Sequence, residues 1–262
     1  MIGKPSKEQK KSQMLAKDYA NSYDSEHKNA FFTAVEATTV KKWTSLYLKG
    51  FMLDFGCGTG IYNHLLCPQF LVGIDINFEM LKQYKEKFPE KSVIQCDSEN
   101  LPFKSSVFDC VLSSGTLHHL NNPPKAMKEI YRVLKNSGYL CSKEMQKSEA
   151  NGFLEFVHLL FFGKPKKTPK KIKNEYFHHP GHEGKKYIPT IFIEAKKFGF
   201  ELLDLYCLNH QWLPFRRFWN NTIFVWKILF MGSKFFDKIP TVRHKGSISV
   251  AILKKSFKEK KN

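Results

Sequence analysis

Short apolar runs that end in an acid recur along the first half of the chain. They cover residues 51–54, 70–75 and 92–97, and each ends in an aspartate. Two further apolar runs follow at 108–113 and 139–143. Runs of this length between turn residues are typical of buried strands. The pattern therefore predicts five buried strands, the first three of which place an acid at their carboxyl end.

Helical signals lie between and around these runs. After the fourth strand, Asn122 can cap a helix and Pro123 falls at its first position. Gly138 is expected to follow the end of this helix. The apolar stripe of the helix comprises Ala126, Ile130, Val133 and Leu134. Two more helices are expected over about 14–48, before the first strand.

The last quarter of the chain continues this alternation. Residues 188–198 predict a helix that Gly199 terminates, and residues 200–208 and 247–253 predict a sixth and a seventh strand. Strands that alternate with helices indicate an α/β fold. At 262 residues, the chain can form one large domain with additions.

Three glycines on alternate positions follow the first strand, in the sequence D-x-G-x-G-x-G from Asp54 to Gly60. Such a turn from strand to helix lets a ligand lie against the backbone, and the N–H groups of the following helix point at that ligand. The spacing differs from the G-x-G-x-x-G of dinucleotide-binding proteins, and no lysine follows as it does in a P-loop. A tight turn without a ligand is the alternative.

This loop resembles the first motif of the class I S-adenosylmethionine-dependent methyltransferases. The order L-P-F at 101–103, F-D-x-V at 108–111 and L-H-H-L at 117–120 is similar to the small-molecule, type 11-like group of that family, which includes quinone and sterol enzymes and some tRNA enzymes. The resemblance is dense over residues 50–143. It implies S-adenosyl-L-methionine as the cofactor. It also implies a Rossmann-like, seven-stranded sheet with flanking helices, whose last two strands form an antiparallel hairpin at one edge.

The expected cofactor site follows the ends of the first three strands. Asp75 lies 19 residues after Gly56, close to the offset at which a Rossmann-type carboxylate meets a ribose. The resemblance places Asp97 and Ser98 beside the adenine. The full set of expected cofactor contacts is Asp54, Gly56, Cys57, Gly58, Gly60, Asp75, Ile76, Asp97 and Ser98. Each acid alone could instead be a helix cap or part of a solvated turn.

His119 is the candidate catalytic base. It follows the fourth strand, at the carboxyl edge where open α/β sheets bind ligands. A histidine that caps a turn or packs against the cofactor wall is the alternative, and His118 is a weaker candidate. Methyl transfer needs few catalytic residues, because the cofactor brings the reactivity and the protein aligns the acceptor.

Four segments are expected from the distribution of these motifs. Residues 1–48 form an N-terminal helical cap, residues 49–145 form the cofactor-binding core, and residues 146–188 form an insertion that covers the substrate. Residues 189–262 complete the core and carry an aromatic and basic insertion at 211–245, which is too long for an ordinary turn.

The chain is strongly basic, with 42 lysines and arginines against 24 acidic residues and a formal net charge of +18. This balance suggests nucleic acid or an anionic membrane as a partner. The excess is almost entirely lysine, since the arginines are limited to Arg132, Arg216, Arg217 and Arg243. Because arginine is preferred for gripping phosphates and base edges, the charge is also typical of a solvated surface.

Metal binding is not expected. The six cysteines lack the spacing of a zinc site and are typical of small core residues in a reducing cytosol. His178, His179 and His182 lie close together, but Pro180 and Gly181 interrupt them. The sequence shows no signal-peptide core and no apolar run long enough to span a bilayer, so we expect a cytoplasmic protein.

The two insertions suggest the class of acceptor. Trp212, Trp219 and Trp226 are interleaved with basic residues, which fits a cover at the surface of an anionic membrane. The first hypothesis is therefore a peripheral methyltransferase that acts on a small lipophilic or lipid-linked molecule. A simple lid over the pocket is the alternative for these segments. An RNA (tRNA) methyltransferase and a non-catalytic homologue that only binds the cofactor are the alternatives for the function.

Overall fold

The computed structural model describes residues 17–18, 20–21, 30–120, 122–145, 188–208 and 248–256. Several predicted features lie outside these residues. They are most of the first N-terminal helix, nearly all of the insertion at 146–188, the histidines His178, His179 and His182, and the insertion at 211–245 with Trp212, Trp219 and Trp226. The expectations for those segments stay predictions.

Seven strands form one sheet. They are β1 (Phe51–Phe55), β2 (Phe70–Asp75), β3 (Ser92–Gln95), β4 (Phe108–Ser114), β5 (Leu134–Met145), β6 (Phe200–Leu208) and β7 (Ile248–Lys255). Their order across the sheet is β3-β2-β1-β4-β5-β7-β6. Strands β1 to β5 are parallel, whereas β7 runs antiparallel to both of its neighbours, β5 and β6. The predicted seven-stranded fold with an antiparallel last pair at one edge is confirmed.

Helices flank this sheet. Those with described bounds are α1 (Ala30–Leu46), α2 (Phe78–Lys87), α3 (Pro123–Val133) and α4 (Ile188–Ile193), which a 3₁₀ turn over Glu194–Phe198 continues. The predicted start of α3 is confirmed, because the side chain of Asn122 accepts the N–H of Lys125 at 3.1 Å and Pro123 begins the helix. The predicted terminator Gly199 follows α4 and its turn with a φ of +97°.

The helix predicted directly after the glycine loop is wrong. The chain instead makes a single 3₁₀ turn over Asn63–Leu65 and returns to the sheet at Phe70. A crossover between parallel strands needs a dozen or more residues when it contains an α-helix. The segment 61–69 is too short for that, so it reaches the start of β2 with only one helical turn.

The predicted boundary between α3 and β5 is also wrong. Leu134 belongs to β5 rather than to the helix, since its backbone is extended and it pairs with Phe108. Gly138 therefore does not terminate the helix. It lies in an irregular stretch of β5 where the register with β4 shifts and Ser137 adopts a φ of +61°. The buried side chain of Leu134 packs in the core, which favours the strand over a further helical turn.

The core lies on both faces of the sheet. Side chains alternate along the central strands, so that Leu53 and Phe55 join one buried cluster and Met52 joins the other. Helices α3 and α4 cover the first face with Ala126, Met127, Ile130, Val133 and Phe192. Helices α1 and α2 cover the second face with Val40, Trp43, Leu81 and Tyr84. These two layers hold the strands, and therefore the loops at the strand ends, in place.

Two of the motifs have structural roles away from the carboxyl edge. Arg132 of α3 donates to the backbone oxygens of Leu101 and Phe103 at 3.0 and 2.6 Å, which fixes the L-P-F turn against the helix. Asp109 of the F-D-x-V motif accepts the N–H of Phe51 at 2.8 Å at the beginning of β1. These motifs therefore stabilise the fold rather than form the site.

Five cysteines are free thiols, namely Cys57, Cys67, Cys96, Cys110 and Cys141. Cys57, Cys110 and Cys141 are buried, as expected for small core residues, whereas Cys67 is exposed. Within the described residues, no group of three His, Cys, Asp or Glu side chains is placed to hold a metal ion. No described helix is both long and apolar enough to cross a bilayer.

Candidate active site

The glycine loop after β1 has a backbone that other residues rarely adopt. Gly56, Gly58 and Gly60 have φ values of +72°, +53° and +75°, in the left-handed region that glycine reaches without strain. A Cβ atom on Gly56 would lie 2.1 Å from Oγ1 of Thr116. Thr116 in turn donates to the backbone oxygen of Phe55 at 3.1 Å. The loop therefore packs tightly against the segment that follows β4.

Asp75 fixes the same loop from the side of β2. Its Oδ2 accepts the N–H of Gly58 at 3.0 Å and its Oδ1 accepts the N–H of Asn77 at 2.8 Å. The N–H of Cys57 also donates to the backbone oxygen of Ile74 at 2.8 Å. Each carboxylate oxygen can accept a further hydrogen bond. Asp75 is thus half-buried beside the glycine loop, at the position where the sequence predicted a ribose contact.

Asp54 lies beneath this arrangement and is buried. Burial, and then the nearby charge of Asp75, raise the pKa of Asp54 to about 7. Desolvation also raises the pKa of Asp75, although the N–H groups of Asn77 and Gly58 oppose that shift. Two predicted cofactor residues are therefore close enough to repel each other when both are ionised.

The turn after β3 lies next to Asp75, because the N–H of Cys96 donates to the backbone oxygen of Asp75 at 3.1 Å. Asp97 is exposed, and it accepts the N–H of Glu99 at 2.8 Å and the side-chain amide of Asn100 at 2.7 Å. The bond from Glu99 is the main reason why the pKa of Asp97 is lowered. Asp97 thus shapes its own turn, and its expected contact with the adenine stays a prediction.

The remaining predicted side chains, Ile76 and Ser98, follow the ends of β2 and β3. Ile76 follows Asp75 with 69% of its surface exposed, which is unusual for an isoleucine. Ser98 is partly exposed beside Asp97. Strands β3, β2 and β1 are adjacent in the sheet, so the ends that carry Asp97, Asp75 and Asp54 are neighbours. The structure brings the predicted cofactor residues together along one stretch of the carboxyl edge.

The two histidines after β4 differ sharply in exposure. His119 is exposed, whereas His118 is buried, and their rings lie 4.0 Å apart between centroids. Both belong to a one-turn 3₁₀ helix over Leu117–His119. Nδ1 of His118 lies 2.9 Å from Oε2 of Glu144. The proposed role of His119 as a base stays a prediction, but the structure gives an oriented partner to His118.

Glu144 is the residue that sequence reasoning missed. Its side chain is fully buried near the end of β5, where Oε1 accepts the hydroxyls of Ser113 at 2.8 Å and Ser142 at 3.2 Å. Burial alone would raise the pKa of Glu144, but the hydrogen bond and charge of His118 and the bond from Ser113 hold it below its ordinary value. Two charged residues, Lys143 and Glu144, follow the apolar positions of a buried strand. Charged residues at such positions were the sequence signal that could have indicated Glu144.

A lysine connects β5 to the segment after the glycine loop. Lys143 is buried, its Nζ donates to the hydroxyl of Tyr62 at 3.1 Å, and it lies 5.3 Å from the centroid of the Tyr62 ring. The backbone oxygen of Lys143 accepts the N–H of Gly115 at 2.7 Å. The carboxyl edge thus carries acids at β1 to β3 and a mixed set of charges at β4 and β5.

Comparison with known proteins identifies the family. A family model described as a methyltransferase domain matches residues 53–142. The ubiquinone/menaquinone biosynthesis C-methyltransferase of Campylobacter jejuni is 31% identical over 176 residues, which cover 61% of this chain and 75% of that protein. A tRNA (carboxymethyluridine(34)-5-O)-methyltransferase of Arabidopsis thaliana is 37% identical over 92 residues, or 34% of this chain and 22% of that protein.

The chain spans less than half of another relative, and the structural comparison agrees with the fold. The chain spans 45% of a curated relative from Methanocaldococcus jannaschii, at 40% identity. The solved S-adenosylmethionine-dependent methyltransferase from Thermotoga maritima superposes with a TM-score of 0.56 and 18% identity, over 93% of this chain and 99% of that one. The sheet order, the glycine loop and these matches agree, and the chain belongs to the class I S-adenosylmethionine-dependent methyltransferases.

Proposed function

We propose that the protein transfers a methyl group from S-adenosyl-L-methionine to a small lipophilic acceptor of the quinol type. The observation that carries this proposal is the match to a ubiquinone/menaquinone C-methyltransferase, which extends over 61% of this chain and 75% of that protein. The match therefore includes sequence outside the cofactor-binding motifs. A lipophilic acceptor is also the first hypothesis from the aromatic and basic insertions.

The residues along the first three strand ends fit the cofactor. We propose that the backbone of Gly56, Cys57, Gly58 and Gly60 accommodates its methionine part, with Asp54 beneath the loop. Asp75 would accept a ribose hydroxyl, because each of its oxygens keeps acceptor capacity beyond the bonds to Gly58 and Asn77. The exposed side chain of Ile76 offers an apolar surface for the adenine. Asp97 and Ser98 would lie beside its exocyclic amine.

The chemistry of methyl transfer determines what the cofactor supplies and what the protein has to supply. When bound, the cofactor supplies a methyl group that its sulfonium has already activated. The chain therefore has to bind the acceptor, orient its nucleophilic atom and exclude water. The buried residues at the ends of β4 and β5 are adjacent to the glycine loop through Thr116, which contacts the backbone oxygens of Phe55 and Gly56. We place the acceptor on that side of the loop.

A lipophilic acceptor implies access to a membrane. The net charge of +18 would attract an anionic lipid surface, and each basic residue near such a surface contributes about 1 kcal/mol. We therefore propose a cytoplasmic protein that contacts the membrane peripherally.

Transfer to tRNA is the second candidate. It is favoured by the identity to the Arabidopsis thaliana tRNA methyltransferase and by the basic composition. That match covers only 22% of the plant protein and about a third of this chain, much less than the match to the quinone enzyme. The lipophilic acceptor is therefore preferred. A homologue that binds the cofactor without catalysis is the third candidate.

The cofactor site is tested by calorimetric titration with S-adenosylhomocysteine. The wild type should bind saturably, whereas Asp75→Ala should weaken binding at least about tenfold, the effect of losing one hydrogen bond to a charged group. Gly58→Val should also weaken binding, because valine is strained at the left-handed φ of +53° that Gly58 adopts in the loop. Glu86→Ala, which removes an exposed acid of α2, is the matched control and should bind as the wild type does. Thermal unfolding of each variant checks that it is folded. A folded wild type without binding would contradict the cofactor assignment.

The acceptor is tested with S-adenosylmethionine that carries a radiolabelled methyl group. One reaction contains 1,4-naphthohydroquinone in detergent micelles, and a parallel reaction contains total tRNA. Label in the naphthohydroquinone that survives extraction into organic solvent supports the quinol proposal. Label in the tRNA alone would replace it with the second candidate. Cofactor binding without label in either acceptor would contradict both and leave the binding-only homologue as the better proposal.

A further inference from the structure

A buried histidine and glutamate form a pair at the carboxyl ends of β4 and β5. Nδ1 of His118 lies 2.9 Å from Oε2 of Glu144, and the two side chains are 10% and 0% exposed. We propose that His118 is the base of the reaction and that Glu144 is the residue that positions it. The acceptor is then a molecule that loses a proton when it gains the methyl group. This inference rests on the proposed function and defines its acceptor more closely.

The hydrogen bonds of Glu144 determine which nitrogen of His118 carries the proton. The carboxylate accepts the hydroxyls of Ser113 and Ser142 on Oε1, and it accepts from His118 on Oε2. The backbone N–H of His118 also donates to Oε2, at 3.4 Å. The hydrogen bond and charge of His118, together with the bond from Ser113, keep the pKa of Glu144 below its ordinary value in spite of its burial. An ionised carboxylate only accepts, so Nδ1 must carry hydrogen, and Nε2 of the neutral ring keeps the lone pair.

The pair also stabilises the product of proton transfer. When Nε2 takes a proton, the imidazolium forms 2.9 Å from a carboxylate that is already ionised and shielded from water. In such an environment an attraction of this kind is much stronger than in bulk water. A histidine oriented by a buried carboxylate is the arrangement that serves as a base in hydrolytic triads. The exposed ring of His119 packs beside His118, and Lys143 is the neighbour of Glu144 along β5.

The position of the pair places it next to the cofactor loop. Thr116, two residues before His118, donates to the backbone oxygen of Phe55 at 3.1 Å and lies within 3.4 Å of that of Gly56. Strand β4 is the neighbour of β1, which leads into the same loop. His118 is therefore held close to the segment that we propose to accommodate the methionine part of the cofactor.

The chemistry of a base restricts the acceptor. A hydroxyl acceptor gives its proton to Nε2, the electron pair of the O–H bond stays on oxygen, and His118 later releases the proton to water. When the methyl group is instead added to a ring carbon beside that oxygen, the carbon loses its hydrogen as a proton and the oxygen regains a proton. The acceptor again loses one proton in total. The acceptor thus exchanges one proton for one methyl group. A carboxylate acceptor brings no proton and would make no use of this pair.

The first test needs no acceptor. Nitrogen-15 NMR of the histidine rings distinguishes the two neutral tautomers, and the signals of His118 are assigned by their loss in His118→Gln. The neutral ring of His118 in the wild type should carry its hydrogen on Nδ1. In Glu144→Gln, which keeps the shape but removes the charge, this tautomer should no longer dominate. A wild-type ring with hydrogen on Nε2, or a tautomer unaffected by Glu144→Gln, would overturn the proposal.

The second test uses methyl transfer to 1,4-naphthohydroquinone. His118→Gln should lower kcat by about 10² or more, the usual contribution of a general base, without changing the affinity for S-adenosylhomocysteine. Glu144→Gln should lower kcat by a smaller factor, and Glu201→Gln, an exposed acid of β6, should have no effect. A loss of kcat in His119→Gln instead of His118→Gln would overturn the proposal in favour of the exposed histidine.

The two tests separate this inference from the proposed function. If His118→Gln does not fold, the ring signals of His118 are assigned through their couplings to the assigned backbone, and the tautomer in the wild type and in Glu144→Gln decides the matter. If the wild type binds S-adenosylhomocysteine and shows the Nδ1–H tautomer but does not methylate the quinol, the pair stands and the quinol proposal fails. If the wild type methylates the quinol and His118→Gln retains its kcat, the function stands and the role of His118 fails.

Discussion

Two buried carboxylates at the carboxyl edge have pKa values that are shifted in opposite directions. Asp54 lies in β1 and Glu144 in β5, and β4 separates the two strands in the sheet. Their residues are only 6% and 0% exposed. The pKa of Asp54 is raised to about 7, whereas the pKa of Glu144 lies below its ordinary value.

The neighbours of each carboxylate explain the difference. Asp54 loses its hydration on burial, and its nearest charged neighbour is another acid, Asp75. Glu144 loses its hydration as well, but His118, Ser113 and Ser142 donate hydrogen bonds to its oxygens. Burial penalises the charged form of an acid, and donors to the carboxylate restore it. The fold therefore keeps one acid in its ionised form and lets the other retain its proton up to about neutral pH.

The opposite pKa shifts of Asp54 and Glu144 are relevant to function. A carboxylate that stays ionised in the core at neutral pH can orient a histidine there. An acid that shares its surroundings with a second acid is instead a place where an added positive charge would be favourable. The two halves of the carboxyl edge are thus suited to different parts of one reaction, and substitutions can test each half separately.

The largest effect is expected from Glu144→Ala. Removing the carboxylate leaves the ring N–H of His118 and two serine hydroxyls without their acceptor in the core, which should lower the free energy of unfolding by about 3–5 kcal/mol. Urea denaturation at pH 7 measures this loss. Glu201→Ala, at an exposed position of β6, is the control and should change stability by less than about 0.5 kcal/mol. Equal effects of the two substitutions would show that the donors around Glu144 do not depend on it.

The sequence predicted the surroundings of Asp54 much better than those of Glu144. Asp54, the glycines and Asp75 lie within 22 consecutive residues, and the loop spacing depends only on local backbone geometry. The pair of His118 and Glu144 depends on the register between β4 and β5, in which Ser113 lies opposite Ser142. No local pattern contains that register, so the sequence alone does not pair His118 with Glu144.

The errors in the predicted elements have a related origin. The helix expected after Gly60 is absent because the crossover to β2 is too short to contain it. The length of this crossover, rather than the helix propensity of its residues, decides the outcome. Leu134 was assigned to α3 because it continues the apolar stripe, yet pairing with Phe108 draws it into β5. Tertiary contacts decided both cases, whereas the caps at Asn122 and Gly199, which are local, were predicted correctly.

The second prediction concerns the pH dependence that Asp54 causes. Its folded pKa of about 7 lies above the ordinary value of 3.8, so the folded state holds a proton that the unfolded state has lost between these pH values. This contribution to stability is complete below about pH 4 and disappears as the pH rises through 7. Wild-type protein should therefore lose up to about 3 kcal/mol between pH 5 and pH 8 from this group.

Asp54→Asn tests that contribution, because the amide has no proton to lose. Urea denaturation at pH 5 and pH 8 should show a smaller loss of stability in the variant than in the wild type. Glu144 acts in the opposite direction, since its lowered pKa stabilises the fold above about pH 4.5 and that stabilisation is lost at lower pH. Equal losses between pH 5 and pH 8 in wild type and variant would contradict the assigned pKa of Asp54.

A third prediction separates the two causes of the raised pKa of Asp54. Asp75→Asn removes the neighbouring charge but leaves Asp54 buried. The pKa of Asp54 should fall below about 7 and stay above 3.8, because burial is the larger of the two causes. Carbon-13 NMR of the side-chain carboxyl, followed through a pH titration, measures it. An unchanged pKa would show that the charge of Asp75 does not reach Asp54, and a return to 3.8 would show that burial is the smaller cause.

The smallest effect is expected from Ser142→Ala, which removes the longer of the two hydroxyl bonds to Oε1 of Glu144. The bond is 3.2 Å long, while that of Ser113 at 2.8 Å remains, so the cost should be about 1 kcal/mol at pH 7. The pKa of Glu144 should rise toward its ordinary value, because one donor to the charged form is lost. Acid denaturation should then begin at a higher pH than in the wild type. Ser105→Ala, at an exposed turn, is the matched control, and an identical acid midpoint in both variants would show that Ser142 does not help to keep Glu144 ionised.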